Sequence, residues 1–142
     1  MILPFDVELS VRYRDMDTFG HVNNAVYATY LEQARYRYFD RVLDVPYDER
    51  EMVLANVEID FRRPLALSDR TVRIACGVVE LGRSSFRMRY RVFPGDGDDP
   101  AATAEAVLVA VEDGQPRPIP SRWRERFVEF EPGLESDGPP TR

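Results

Sequence analysis

Between Val11 and Tyr38 the chain reads VRYRDMDTFGHVNNAVYATYLEQARYRY, and its chemistry-bearing side chains gather there. Asp15 and Asp17 stand one residue apart ahead of Gly20, the only histidine, His21, follows, and Asn23 and Asn24 open a helical pattern. A carboxylate and an imidazole therefore precede a helix N-terminus, where unpaired backbone N–H groups and the positive end of the helix dipole attract developing negative charge. That arrangement suits attack on a carbonyl.

Each residue also has a plainer role open to it. Acidic side chains between a strand and a glycine turn make turn bonds or cap the helix. As chemistry, Asp17 is the better candidate for a nucleophile or a base on water, with Asp15 beside it raising its pKa or facing solvent. His21 either bonds to backbone at the helix entry or donates to a substrate carbonyl. One asparagine is explained by N-capping. Position 26 is Val rather than Glu or Gln, so no capping box forms and first-turn N–H groups stay free for a ligand oxygen. Arg83 and Ser84, after Gly82, form a solvated hairpin or a phosphate contact, and Arg62 and Arg63 before Pro64 belong with them. Tyr27 lines an acyl site or sits in plain core.

Composition narrows the chemistry. The 142 residues are expected to form one domain over 1–130, followed by an acidic, flexible tail over 131–142. Hydrophobic content of 44% with 31% charged is that of a soluble globular chain. No apolar run approaches the ~18 residues that span a bilayer, so no membrane partner is expected. The first ten residues lack a basic stretch ahead of an apolar core, and the cytoplasm is the expected compartment. Cys76 alone allows no intramolecular disulfide, and a single cysteine with a single histidine allows no cysteine-based zinc site or multi-histidine metal centre. A net charge of −6 argues against nucleic acid as a partner. Charge is uneven, however: from Arg62 to Arg91 eight Arg face only Asp69 and Glu80. All 19 basic residues are Arg, which excludes Schiff-base lysine chemistry and a P-loop.

These residues need a scaffold, and periodicity supplies one. Val7, Leu9, Val11 and Tyr13 alternate with polar residues, predicting a half-buried strand. Tyr27, Tyr30, Leu31, Ala34, Tyr38 and Val42 recur at helical spacing from Asn24 to about Leu43, a rod of about 30 Å. Period two returns in Val53 to Phe61, Val72 to Val78 and Phe86 to Val92, while Ala101 to Val111 is apolar on both parities. A short helix is predicted around Arg122 to Phe127. The class is α+β with a five-stranded antiparallel sheet. Tyr36 and Phe39 lie off the main helical stripe, and this surplus predicts at least a dimer.

The run Val11 to Asn24, with Ala25, Tyr27 and the later Tyr30-Leu31-Glu32-Gln33-Ala34-Arg35, resembles the hotdog-fold thioesterases of the 4-hydroxybenzoyl-CoA thioesterase type. Within it the bacterial acyl-CoA thioesterases, with a His-Val-Asn-Asn motif, are nearer than the plant acyl-carrier-protein thioesterases. The resemblance implies a hotdog fold, one long helix wrapped by the sheet, with homodimers or homotetramers and active sites at subunit interfaces. It implies hydrolysis of an acyl-coenzyme A thioester, with Asp17 as catalytic aspartate and Asn24 as the helix-start amide that polarises the carbonyl. His21 matches the subgroup's histidine, Arg83 and Ser84 fall where relatives meet coenzyme A phosphates, and no cofactor beyond the substrate's own coenzyme A is implied. Phe19 replaces an asparagine of the plant enzymes, so that residue's role does not transfer. His21 and Asn23 replace apolar and aromatic residues of the hydroxybenzoyl enzyme. A hotdog enoyl-CoA hydratase is the first alternative, but its Asp-x-Asn-Pro-x-His spacing is absent; an acyl-acyl carrier protein thioesterase and a non-catalytic acyl-binding module are the others.

Overall fold

The computed structural model describes residues 3–135. Five long strands, β1 (Phe5–Ser10), β2 (Met52–Phe61), β3 (Thr71–Leu81), β4 (Ser85–Pro94) and β5 (Ala102–Glu112), form an antiparallel sheet in the order β1-β3-β4-β5-β2. A two-residue β6 (Gln115–Pro116) folds back on β5. Helix α1 (Asn24–Val42) lies against the sheet, and α2 (Ser121–Phe130) packs beside it. This is the expected α+β hotdog arrangement.

The core follows the predicted stripes. Tyr27, Tyr30, Leu31, Ala34, Tyr38 and Val42 of α1 are buried, as are Val72, Ile74, Cys76 and Val78 of β3 and Phe86, Met88, Tyr90 and Val92 of β4. Phe39, read from sequence as surplus surface, is buried instead, because α2 supplies the missing partner: its ring meets Phe86 and Phe127. Tyr36 remains exposed. Tyr13 is exposed too, since β1 stops at Ser10 and a 3-10 turn over Tyr13–Asp15 breaks the alternation.

Strand register explains much of the arginine excess. Arg89 faces Glu105 across β4 and β5 and bonds to it at 3.0 Å. Arg87 reaches Glu80 and Glu105, Arg73 reaches Asp6, and Arg63 pairs with Asp99 at 2.7 Å.

The fold continues past the expected tail boundary. The Glu131 carboxylate is buried, accepting hydrogen bonds from the Tyr38 hydroxyl and, at 3.3 Å, from Val78 N–H. Pairing between β1 and β3 ends at Phe5 opposite Cys76, so the Val78 N–H on that side of β3 meets the carboxylate instead of a strand. Leu134 also packs on the core, while residues 136–142 lie outside the described residues.

Strand β2 is one of the two edges of the sheet. Val53, Leu54, Val57 and Phe61 are all exposed, the last to 46%. Phe61 meets Tyr27 of α1 edge-on at 5.0 Å, so its face of β2 looks toward the helix.

Candidate active site

The loop from Val11 to Asn23 is fixed before any chemistry is considered. Asp15 is buried and accepts from Arg12 N–H at 2.9 Å, from the Arg12 guanidinium at 2.9 and 3.1 Å, and from the Tyr30 hydroxyl at 2.8 Å. Burial alone would raise its pKa, but these donors outweigh it and hold the carboxyl below the usual carboxylate range. Asp15 does not face water; it clamps the 3-10 turn to α1. The same contacts push the Tyr30 phenol up, burial being the largest cause.

Asp17 is placed differently. Its Oδ1 accepts from Phe19 N–H at 2.9 Å and from His21 N–H at 3.1 Å, while Asp17 N–H donates to the His21 carbonyl at 2.7 Å. Gly20, at φ 82°, makes the tight reversal that this pairing needs. No hydrogen bond reaches Asp17 Oδ2 among the described residues. One carboxylate oxygen is thus held by backbone and the other is available.

The helix start completes the geometry. Asn23 is the N-cap, its side-chain oxygen accepting from Ala25 N–H at 2.9 Å, and its carbonyl accepts from Val26 N–H at 2.9 Å. Asn24 N–H, at the first helical position, has no partner among the described residues. The expectation of a free first-turn amide therefore narrows to one group.

Asp17, His21, Asn24 and Tyr27 line one cavity of about 280 Å³, together with Val22, Phe61, Arg62, Arg63 and Pro64. His21 is exposed at its mouth, and Tyr27 is buried at its base, where desolvation raises its phenol pKa. Arg62 and Arg63 are held there by backbone bonds from their N–H groups to the Ala101 carbonyl, at 2.8 and 3.2 Å. Read from sequence, these two arginines carry no more weight than the hairpin; an Arg-Arg-Pro stop at a strand end was the available signal.

Arg83 and Ser84 are not brought to this cavity. Phe61 pairs with Ala102, whereas Ser85 pairs with Val109 and Val109 with Val53. The β3–β4 turn therefore lies eight β2 residues away, about 26 Å along the strand. Sequence shows that a turn exists, but only register shows at which end of the sheet it falls.

A second, larger groove of about 730 Å³ opens between the later turns of α1 and the start of β2, lined by Tyr36, Phe39, Tyr47, Met52, Leu54 and Leu108 among others. Among the described residues no cluster of three or more His, Cys, Asp or Glu could hold a metal ion, and no helix is long and apolar enough to cross a membrane.

With that geometry in view, comparisons with known proteins agree on one family. Residues 11–130 match the Thioesterase-like superfamily. The chloroplastic acyl-acyl carrier protein thioesterase ATL3 of Arabidopsis thaliana is 27% identical over 130 residues, 88% of this chain and 68% of that protein. The long-chain acyl-CoA thioesterase FadM of Escherichia coli strain K12 is 35% identical over 65 residues, 44% of this chain and 49% of that protein. Among solved structures, a thioesterase from Thermus thermophilus complexed with coenzyme A and Zn is 43% identical, with a TM-score of 0.81 over 88% of this chain and 92% of that one.

Proposed function

The chain belongs to the Thioesterase-like superfamily and is a thioester hydrolase; on that premise we propose that it hydrolyses an acyl-coenzyme A to a carboxylic acid and free coenzyme A. The observation that carries this reading is that Asp17, with its Oδ2 unbonded, and Asn24, with its N–H unbonded, line one small cavity. The thioester oxygen sits on the Asn24 amide, with the His21 ring as a second donor. Asp17 either attacks the carbonyl, giving an anhydride that water then opens, or takes a proton from the water that attacks. In both routes a C–O bond forms, the C–S bond breaks, and the thiolate leaves and is protonated from solvent. One preorganised donor at an oxyanion contributes about 3–4 kcal/mol of barrier lowering.

The acyl group runs along the helix-facing side of β2. Phe61, Ile59 and Val57 share that side by alternation, and the register shift between Leu54 and Asn56 carries it on to Leu54 and Met52, at the larger groove. A second copy closes this open side by pairing its own β2 edge, as a homodimer or a pair of dimers. Antiparallel pairing about a two-fold axis would bring the partner's β3–β4 turn, with Arg83 and Ser84, to this cavity's end of the joined sheet, beyond the partner's β2 and β5.

The test is thiol release from a panel of acyl-coenzyme A esters, followed with a chromogenic disulfide. Asp17→Asn, which keeps an oxygen to accept from Phe19 and His21 N–H, is expected to abolish release while the thermal melt stays put. Release that persists in this variant rejects the mechanism, and water addition to an enoyl ester would favour a hydratase. The match to ATL3 over most of the chain favours one second reading, the acyl carrier protein as thioester donor, so the panel includes that form.

A further inference from the structure

We propose that the rim of the Asp17 cavity is a binding site for the phosphoadenosine diphosphate end of coenzyme A, built by Tyr13, Phe19, Arg14, Arg62 and Arg70. The inference rests on the acyl-coenzyme A reading and assigns the nucleotide end of that substrate to this protomer's own surface.

Two chain segments make the rim. Val11 N–H donates to the Arg70 carbonyl at 2.8 Å, Val22 N–H donates to the Leu65 carbonyl at 2.7 Å, and His21 bridges to Ala66. Residues 11–22 and 62–70 thus lie side by side, and Asp17, His21, Val22 and Arg62 to Pro64 among them line the cavity. Tyr13 and Phe19, one on each side of the clamped Asp15, are each 83% exposed, more than any other large hydrophobic side chain among the described residues. Neither ring meets another among the described residues. Flat apolar faces left in water beside a reaction site are suited to stacking on a purine.

Charge follows the same border. Arg12 is taken by Asp15, and Arg63 by Asp99. Arg14, Arg62 and Arg70 are exposed, and no carboxylate lies in ion-pair reach of them among the described residues. The local acids are engaged elsewhere: Asp15 is buried, and Asp69 accepts from Ala66 N–H at 2.7 Å. A chain of net charge −6 therefore keeps three unneutralised guanidinium groups on these two segments, Arg62 lining the cavity itself, where phosphates of an incoming substrate are drawn in and held. Arg70 does so at φ 65°, ψ −49°, a backbone state in which glycine is the unstrained residue. Strain kept at an exposed arginine points to use of its side chain. The β3–β4 turn with Arg83 lies at the other end of the sheet of the same protomer.

The experiment is calorimetric titration of free coenzyme A, dephospho-coenzyme A and pantetheine into the full chain, independent of turnover. Wild type is expected to bind coenzyme A most tightly and pantetheine least. Arg70→Gly is expected to weaken coenzyme A about tenfold without lowering Tm, an outcome that a merely structural arginine does not give. The pair Tyr13→Ala with Phe19→Ala, and Arg14→Gln separately, are expected to weaken coenzyme A by about five- to tenfold. The ratio of kcat/KM for acyl-coenzyme A over the matching acyl-pantetheine falls in parallel. Equal affinity of wild type for pantetheine and coenzyme A, or unchanged affinity in all the rim variants, overturns the proposal. A loss confined to Arg83→Ala overturns it too, as does rim-dependent binding of an acidic carrier protein alone. Failure of the hydrolase reading is separate: it shows as no thiol release from any acyl-coenzyme A by wild type.

Discussion

The Tyr30 hydroxyl donates to Asp15 Oδ2 at 2.8 Å, so a residue on the second turn of α1 fixes the turn that precedes Asp17. Tyr30→Phe removes one donor from a buried carboxylate and is expected to cost about 1–3 kcal/mol in a denaturant melt.

The same carboxylate gives stability a pH dependence with a definite sign. Its pKa in the folded state lies below the unfolded value of about 3.9, so its contribution is complete above pH 4 and is lost as pH falls through the folded value. Asp15→Asn should therefore be less stable than wild type at pH 7, with the gap narrowing below about pH 4. A gap that stays constant between pH 7 and pH 3 would exclude the ion pair with Arg12 as its source.

Asn24→Pro isolates the oxyanion amide. Proline lacks the N–H but is well tolerated at the first helical position, and Asn23 already has the extended backbone that a following proline prefers. The variant should melt like wild type and lose about 10²–10³ in kcat. Full activity would place the thioester oxygen elsewhere.

Gly77 and Glu131 form a tight pair on the far side of the core. A Cβ on residue 77 would stand 2.6 Å from Glu131 Oε2. Gly77→Ala is expected to cost about 1–3 kcal/mol, and much less in a Glu131→Ala background, as a double-mutant cycle would show.

Burial raises the Glu131 pKa above its unfolded value despite the hydrogen bonds from Tyr38 and Val78, so its charged form is the disfavoured one in the fold. Any stability tied to its protonation is present below about pH 4.3 and is lost as pH rises through the folded value. Glu131→Gln keeps an acceptor for Val78 N–H and is expected to match or exceed wild type in Tm at pH 7. Glu131→Ala should lower Tm by leaving that N–H and the Tyr38 hydroxyl unpaired.

What sequence made legible was whatever depends on local period. The α1 stripe and the alternation of β3 and β4 were readable because each side chain's face follows from its neighbours' spacing. The cluster of Asp17, His21, Asn24 and Tyr27 was readable for the same reason, since all four lie within eleven consecutive residues. Burial of Phe39 depended on α2, which arrives from more than eighty residues away. The division of labour between Asp15 and Asp17 rests on a 3-10 turn that breaks the strand pattern at Tyr13. The positions of Arg62 at the cavity and Arg83 far from it depend on strand register, which composition does not carry.

Cys76 sits beneath α1 with no exposed surface, its thiol pKa pushed up chiefly by desolvation. A native molecule therefore gives no colour with the disulfide reagent that counts liberated coenzyme A. Each molecule that opens globally contributes a single equivalent, so the baseline drift of a substrate-free blank doubles as a clock for unfolding. Turnover and conformational lifetime can be recorded in one cuvette without any added label.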